Sequence, residues 1–321
     1  MRTLFSALAL ALVAGSAAAD PPATAESRAT AQLARWVPAW PAEEKCFSCH
    51  HSGVAAGSLY AAVRLGHKVP DKALEETTRW LSRPEKWDPK REGGAPTDQA
   101  LVRIQFGAAL AEALDAGVLK ERRPLLDAAK LIAADQREDG AWRVNAEGSL
   151  GSPTTLGSAL ATHLARRVLV KADARAHADA VGKADCWLRQ VEAKSVPDTA
   201  AVLLALEGAD DREASARRQR CLDVLRKGQD RRGGWGPYAT SAPEPFDTAL
   251  ALLALSRYPK EEGVKEMIER GREYLIGAQE KEGHWPETTR PAGAVSYAQR
   301  TATSGWALQA LLATGGSASR R

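Results

Sequence analysis

Cys46-Phe47-Ser48-Cys49-His50-His51 is where this chain gathers its residue types best suited to chemistry. The spacing reads C-x-x-C-H, the attachment signature of c-type haem. Two thiols add across the two vinyl groups of the porphyrin, and the histidine directly after the second thiol, His50, reaches the iron as proximal ligand. Two other chemistries use the same side chains. Cys46 and Cys49 can join in a disulfide, or they can share a zinc ion with His50 and His51. The zinc alternative lacks a second C-x-x-C or an H-x-x-x-H to complete four ligands. A thioredoxin-like alternative lacks a βαβ pattern around the motif.

If haem binds, a sixth iron position remains to be assigned. His51 adjoins His50 and cannot reach the opposite face of the same iron. His67, beside Gly66, is the first choice, which makes His50 and His67 the candidate metal ligands. Met267 is the alternative and would raise the potential. An empty sixth position would admit a small gas or a peroxide. His163, His177 and His284 read as surface or half-buried side chains.

The N-terminus sets the compartment. Met1-Arg2 is followed by an apolar run from Leu4 to Gly15 and by Ser16-Ala17-Ala18-Ala19, an A-x-A cleavage pattern. Residues 1–19 therefore read as a signal peptide cleaved near Ala19, and the mature chain as periplasmic or secreted. That compartment suits haem attachment and lets disulfides persist. No later stretch has the roughly 20 apolar residues that a membrane span needs. The net charge is +4, with acidic and basic residues interspersed, which argues against a nucleic-acid surface.

Residues 20–44 read as a flexible arm. Asp20 to Arg35 is mostly Ala, Pro, Thr and Ser, and Pro38 and Pro41 favour an extended path for the two tryptophans Trp36 and Trp40. These indoles either cap the core or pack on a porphyrin. Residues 45–70 form the C-x-x-C-H segment, with a short helix from Ser58 to Leu65. A helix from Lys72 to Leu81 follows. Beyond it, apolar residues recur at three- and four-residue spacing, as in Leu101, Ile104, Ala108 and then Leu125, Ala128, Leu131, Ile132. That is the helical period, with no sustained strand alternation, so the fold class is all-α.

Three segments share the pattern Q-x-x-x-G-x-W: Gln136, Gly140 and Trp142; Gln229, Gly233 and Trp235; Gln279, Gly283 and Trp285. Each closes one helix and leads through a loop to an Ala/Leu-rich helix: Thr155 to Leu164, Thr248 to Leu255 and Ser304 to Leu312. A degenerate copy lies near Gln190, and a fainter unit spans Trp80 to Trp87. Repeats at about 50 residues or a multiple mean stacked identical units.

The pattern resembles the QW repeat of the squalene-hopene cyclase and protein prenyltransferase superfamily, from about Trp80 to Ala313. The resemblance implies an α/α toroid, an inner ring of helices within an outer ring. About five to six helix pairs over residues 71–315 would form it, with the nine repeat residues structural. A C-x-x-C-H-H ahead of a shortened toroid also looks like a group of secreted bacterial proteins.

The cyclase chemistry does not carry over. The superfamily's acid motif is D-x-D-D-T-A. Ser195-Val196-Pro197-Asp198-Thr199-Ala200 places Pro197 where the proton donor belongs, and Glu244-Pro245-Phe246-Asp247-Thr248-Ala249 places Phe246 there. Asp198 and Asp247 read as N-caps. The prenyltransferase zinc set also lacks its histidine near Thr301 to Trp306. The expected function is thus a periplasmic haem c protein on a toroid scaffold, serving electron transfer or small-ligand binding without cyclase activity. Its partner would be a redox protein or a small hydrophobic ligand. The alternatives are a haem-free toroid that binds an isoprenoid, a lipid or a protein, and a terpene cyclase-like enzyme. Cys186 and Cys221 fall on consecutive outer helices about one turn apart, either bridged or free.

Overall fold

The helical periods close into hairpins, each an outer helix followed by an inner one. The computed structural model describes residues 23–87, 98–144, 150–288, 290 and 296–315, and every regular element among them is helical. Residues 1–19, expected to be a signal peptide, lie outside the described residues. In chain order the helices are α1 (Ala25–Glu44), a π-helix (Cys49–Ala55) running directly into α2 (Ala56–Arg64), α3 (Glu75–Leu81), α4 (Gln99–Asp115), α5 (Arg123–Ala134) and α6 (Ser158–Asp173). They continue with α7 (Ala178–Gln190), α8 (Val196–Ala205), α9 (Arg212–Gly228), α10 (Pro245–Leu255), α11 (Val264–Gly277) and α12 (Tyr297–Thr314). None of the described helices is long and apolar enough to cross a membrane.

The even-numbered helices form a closed inner ring of six, each packed on the next, with α12 returning to α2 and the π-helix. The odd-numbered helices stand outside. Burial separates the two sets. In α12 every residue from Thr301 to Leu308 is buried, and α10 is buried from Pro245 to Leu252. Outer α5 buries only the stripe Leu125, Ala128, Ala129 and Ile132. A helix buried all round belongs inside, and one with a single apolar stripe belongs at the edge.

The flexible arm expected over residues 20–44 is instead α1, the sixth outer helix. Ala25, Ala29, Leu33, Val37 and Pro41 are buried at four-residue spacing, a helical face whose small side chains give a weak signal in the sequence. Thr24 caps it by accepting from Ser27 N at 3.2 Å. Pro38 and Pro41 lie inside this helix rather than on an extended path. Packing on α2 and α12 outweighs the hydrogen bonds they remove. The segment 45–70 is likewise part of the ring, because it supplies the first inner helix. The helix expected over Lys72–Leu81 divides into a 3₁₀ turn at Asp71–Ala73 and α3.

The repeat residues are the seams. Gln136 Nε2 donates to Gly140 O at 2.9 Å and to Ala180 O, on the next outer helix, at 2.8 Å. Gln229 does the same to Gly233 O and to Met267 O, and Gln279 to Gly283 O and to Ala25 O. Thus the third motif grips α1 and closes the ring. Each tryptophan is fully buried and donates Nε1–H at 2.7 Å to a carbonyl of its own outer helix: Ile132, Leu225 and Leu275. Gly283 has φ +98°, and a Cβ there would collide with the carbonyl of Arg28 on α1. The degenerate unit at Gln190 lacks this clasp; there Arg217 donates to Val191 O, and Arg189 pairs with Asp211 at 2.8 Å.

One segment fills the ring. Residues 150–157 lead into α6, yet they are bonded to α4 and α12. Gln105 Nε2 donates to Thr154 O at 2.8 Å, Trp306 Nε1 to Pro153 O at 3.1 Å, and Gln299 Nε2 to Ser152 Oγ at 3.1 Å. Helices α6 and α12 face one another across a ring of six, so the segment crosses the axis.

Candidate functional site

The C-x-x-C-H-H residues sit where the ring closes. After α1, Lys45 takes φ +54° and turns the chain back. Ser48 then caps the π-helix: its Oγ accepts from His51 N at 3.3 Å and lies 3.1 Å from His51 Nδ1. The π-helix packs between α4 and α12. Helices of this kind cost stability and are frequent at functional sites.

Four aromatic or imidazole rings meet here. His51 is fully buried and stacks on Trp40 of α1, centroids 4.7 Å apart at 19°. His50 meets the Trp40 ring edge-on at 5.1 Å and lies 4.6 Å from His51. Tyr297, at the start of α12, approaches His51 at 5.2 Å and Trp40 at 6.1 Å. Beside them Phe47 stacks on Trp80 at 4.5 Å. Trp40 thus packs on the motif. Tyr297 was not foreseen, since no sequence signal links it to a segment about 250 residues earlier.

The electrostatics keep these groups neutral. Burial lowers His50 to about 4; burial and then the adjacent His50 lower His51 to about 3. Burial raises the Cys49 thiol to about 11. Both imidazoles therefore carry lone pairs at neutral pH. Trp40 Nε1, His50 Nε2, His51 Nε2 and Ser52 Oγ are all buried without a hydrogen-bond partner. Unpaired buried polar atoms are costly, and four in one place call for an explanation.

Cys46, Cys49 and His50 lie along the turn that opens the π-helix. His67 does not. It follows the far end of α2, roughly 20 Å along the helix from His50, and so cannot face the same iron. Met267 is buried on outer helix α11. Among the described residues, no three His, Cys, Asp or Glu side chains gather to hold a metal ion. The donor set of Cys46, Cys49 and His50 has the chemistry of haem c attachment, two thiols and an imidazole with an unpartnered nitrogen. Cys186 is exposed, Cys221 is buried, and no bond joins them.

The aspartates of the cyclase-like segments are not N-caps. Ser195 caps α8 by accepting from Asp198 N at 3.1 Å, and Asp198 sits in the first turn, accepting from Ser195 Oγ at 2.7 Å. Asp247 is fully buried in the first turn of α10 and pairs with Arg290; burial raises it to about 7 against that pairing. Pro197 is buried and offers no proton. His163, expected near the surface, is buried on inner helix α6. His284 is half-buried against Trp36 at 5.3 Å.

No protein-family profile matches the chain, and no curated protein matches it. Solved structures do. The type II terpene cyclase MstE from Scytonema superposes with TM-score 0.57 at 13% identity, covering 90% of this chain and 98% of that one. The ent-copalyl diphosphate synthase from Streptomyces platensis gives 0.53 at 19% identity, covering 81% and 50%. A glycosidase E178A variant gives 0.55 at 12%, covering 90% and 98%. At these identities the likeness concerns architecture. The chain has the α/α toroid fold of the terpene cyclases.

Proposed function

We propose that this chain is an exported haem c protein built on a cyclase-like toroid, with Cys46 and Cys49 as attachment thiols and His50 as proximal ligand. The observation that carries the reading is the neutral imidazole of His50, whose Nε2 is buried without a partner directly after the second thiol of C-x-x-C. A deprotonated ring nitrogen is what iron requires.

Each thiol forms its thioether by adding S–H across a vinyl group, sulfur to one carbon and hydrogen to the other. Cys49, raised to about 11, is a thiol at neutral pH. That state argues against a dithiol oxidoreductase, whose attacking cysteine has a lowered pKa. Trp40 and Tyr297 hold the His50–His51 pair in place through ring contacts. Haem c supplies one-electron exchange at iron, or an open position for a small ligand. Pro197 and Phe246, at the position of the superfamily's proton donor, speak against a cyclase.

The test is a reduced-minus-oxidised visible spectrum of the denatured protein, produced with haem c maturation. Covalent haem bands that vanish in the Cys46→Ala, Cys49→Ala double variant are expected. Their absence from the unmodified chain overturns the reading.

A further inference from the structure

The two ends of the ring axis are built differently. The N-terminal ends of the inner helices carry Asp198 and Asp247 and are crossed by residues 150–157. The C-terminal ends enclose a cavity of about 190 Å³ lined by residues from all six inner helices or the turns that end them. Its floor is Trp306, held by Pro153 O. Leu160, Leu164, Leu253 and Leu312 form apolar wall. Four arginines stand at the mouth: Arg64, Arg166, Arg167 and Arg257, with Glu112 and Glu207 as the acids among them.

Part of this has a structural cause. Six helix C-termini bring partial negative charge to one place, and basic side chains offset it. The pairings are uneven, however. Arg64 and Arg167 share the single carboxylate of Glu112, at 3.8 and 3.0 Å. Arg257 stands 3.7 Å from Glu207, and Arg166 pairs with Asp185 outside the cavity. The mouth therefore holds more cations than its own acids neutralise.

Helix ends do not account for His163. This side chain lines the cavity, is 5% exposed, and has Nδ1 buried without a partner. Burial first, then Arg167, Arg166 and Arg257, hold it well below the usual histidine range, so it is neutral. A neutral imidazole with an unused nitrogen, leucine walls and surplus guanidinium together describe a receptor for a molecule with an apolar body and one anionic end that the guanidinium groups and the imidazole nitrogen both serve.

We propose that the axial cavity is a binding site for a small organic carboxylate. The carboxylate lies at Arg64 and Arg167, where planar guanidinium groups suit its geometry. The hydrocarbon body lies along Leu160, Leu164 and Leu253, within reach of His163. The volume is below the roughly 300–1,000 Å³ of drug-sized sites, which restricts the ligand to a compact acid and excludes a polyprenyl chain. This site stands apart from the C-x-x-C-H-H cluster and does not depend on haem.

The test titrates the full-length protein calorimetrically with benzoate and with benzamide, its neutral analogue of similar shape. Benzoate should bind at least about tenfold more tightly than benzamide. Arg167→Gln and His163→Phe, each verified as folded by circular dichroism, should weaken benzoate binding by about fivefold or more. Equal affinity for the two probes, no binding of benzoate, or folded variants that bind benzoate as the unmodified chain does would each overturn the proposal. The comparison of the two probes needs no variant, so a failure of either variant to fold leaves the test intact.

Discussion

The ring has two kinds of seam. At Trp142, Trp235 and Trp285 the polar atoms of the motif are matched: glutamine bridges two outer elements, the indole N–H finds a carbonyl, and the backbone N–H finds Thr162, Thr248 or Ser304. At the C-x-x-C-H-H turn four buried polar atoms have no partner, and the chain adopts a π-helix. Both seams are built from aromatic and polar side chains at a ring junction, so composition does not separate them. Satisfaction does. The first kind lowers the free energy of the fold by itself, whereas the second leaves its polar atoms unmatched within the polypeptide.

Breaking the matched seam should cost most. Trp285→Ala removes a fully buried indole and its 2.7 Å bond, and should lower unfolding free energy in urea by about 3–5 kcal/mol. A loss under about 1 kcal/mol would show that the third motif does not hold the ring closed. The unmatched seam should reveal itself next through acid. His51 falls from 6.5 to about 3 on folding, so the unfolded chain takes up the proton first. The stability this neutral imidazole allows is complete above pH 6.5 and declines as pH falls towards 3. By pH 5 the loss is on the order of 2 kcal/mol, and His51→Gln should flatten the profile between pH 5 and 7. An unaltered slope in that variant would assign the acid sensitivity elsewhere. The smallest effect is expected at Trp40→Phe. Its N–H bonds nothing, so removing it should change apo-protein stability by less than about 1 kcal/mol. A larger loss by the same urea measurement would show that the indole's stacking on His51 holds the turn.

The matched seams were legible because their chemistry is local: Gln, Gly and Trp act within seven residues, and that spacing survives in the sequence. The inner helices were legible because they are apolar all round. Helix α1 was hidden. Its buried face carries only two large aliphatic side chains, Leu33 and Val37, and two prolines mimic a linker, so only the ring it completes reveals it. The crossing segment 150–157 had no signal either, since it is held by Gln105, Gln299 and Trp306, each far away in the chain. At the candidate site Cys46, Cys49 and His50 were visible as a motif. Tyr297 could not be, and His67 misled because nearness in sequence becomes the length of a helix in space.

The clasp of Gln279 on Ala25 joins residues 254 positions apart. In an open solenoid each unit is complete once its neighbour has been translated. Here α1 meets α2, the π-helix and α3 early in the chain, but its contact with α12 and the Gln279 clasp wait for the far end to be made. Biosynthesis is therefore a vulnerable interval, because pairings so distant form late and expose nascent chains to aggregation. A chain cut short before α11 would not merely lose its final unit; it would also leave α1 without its clasp and its contact with α12.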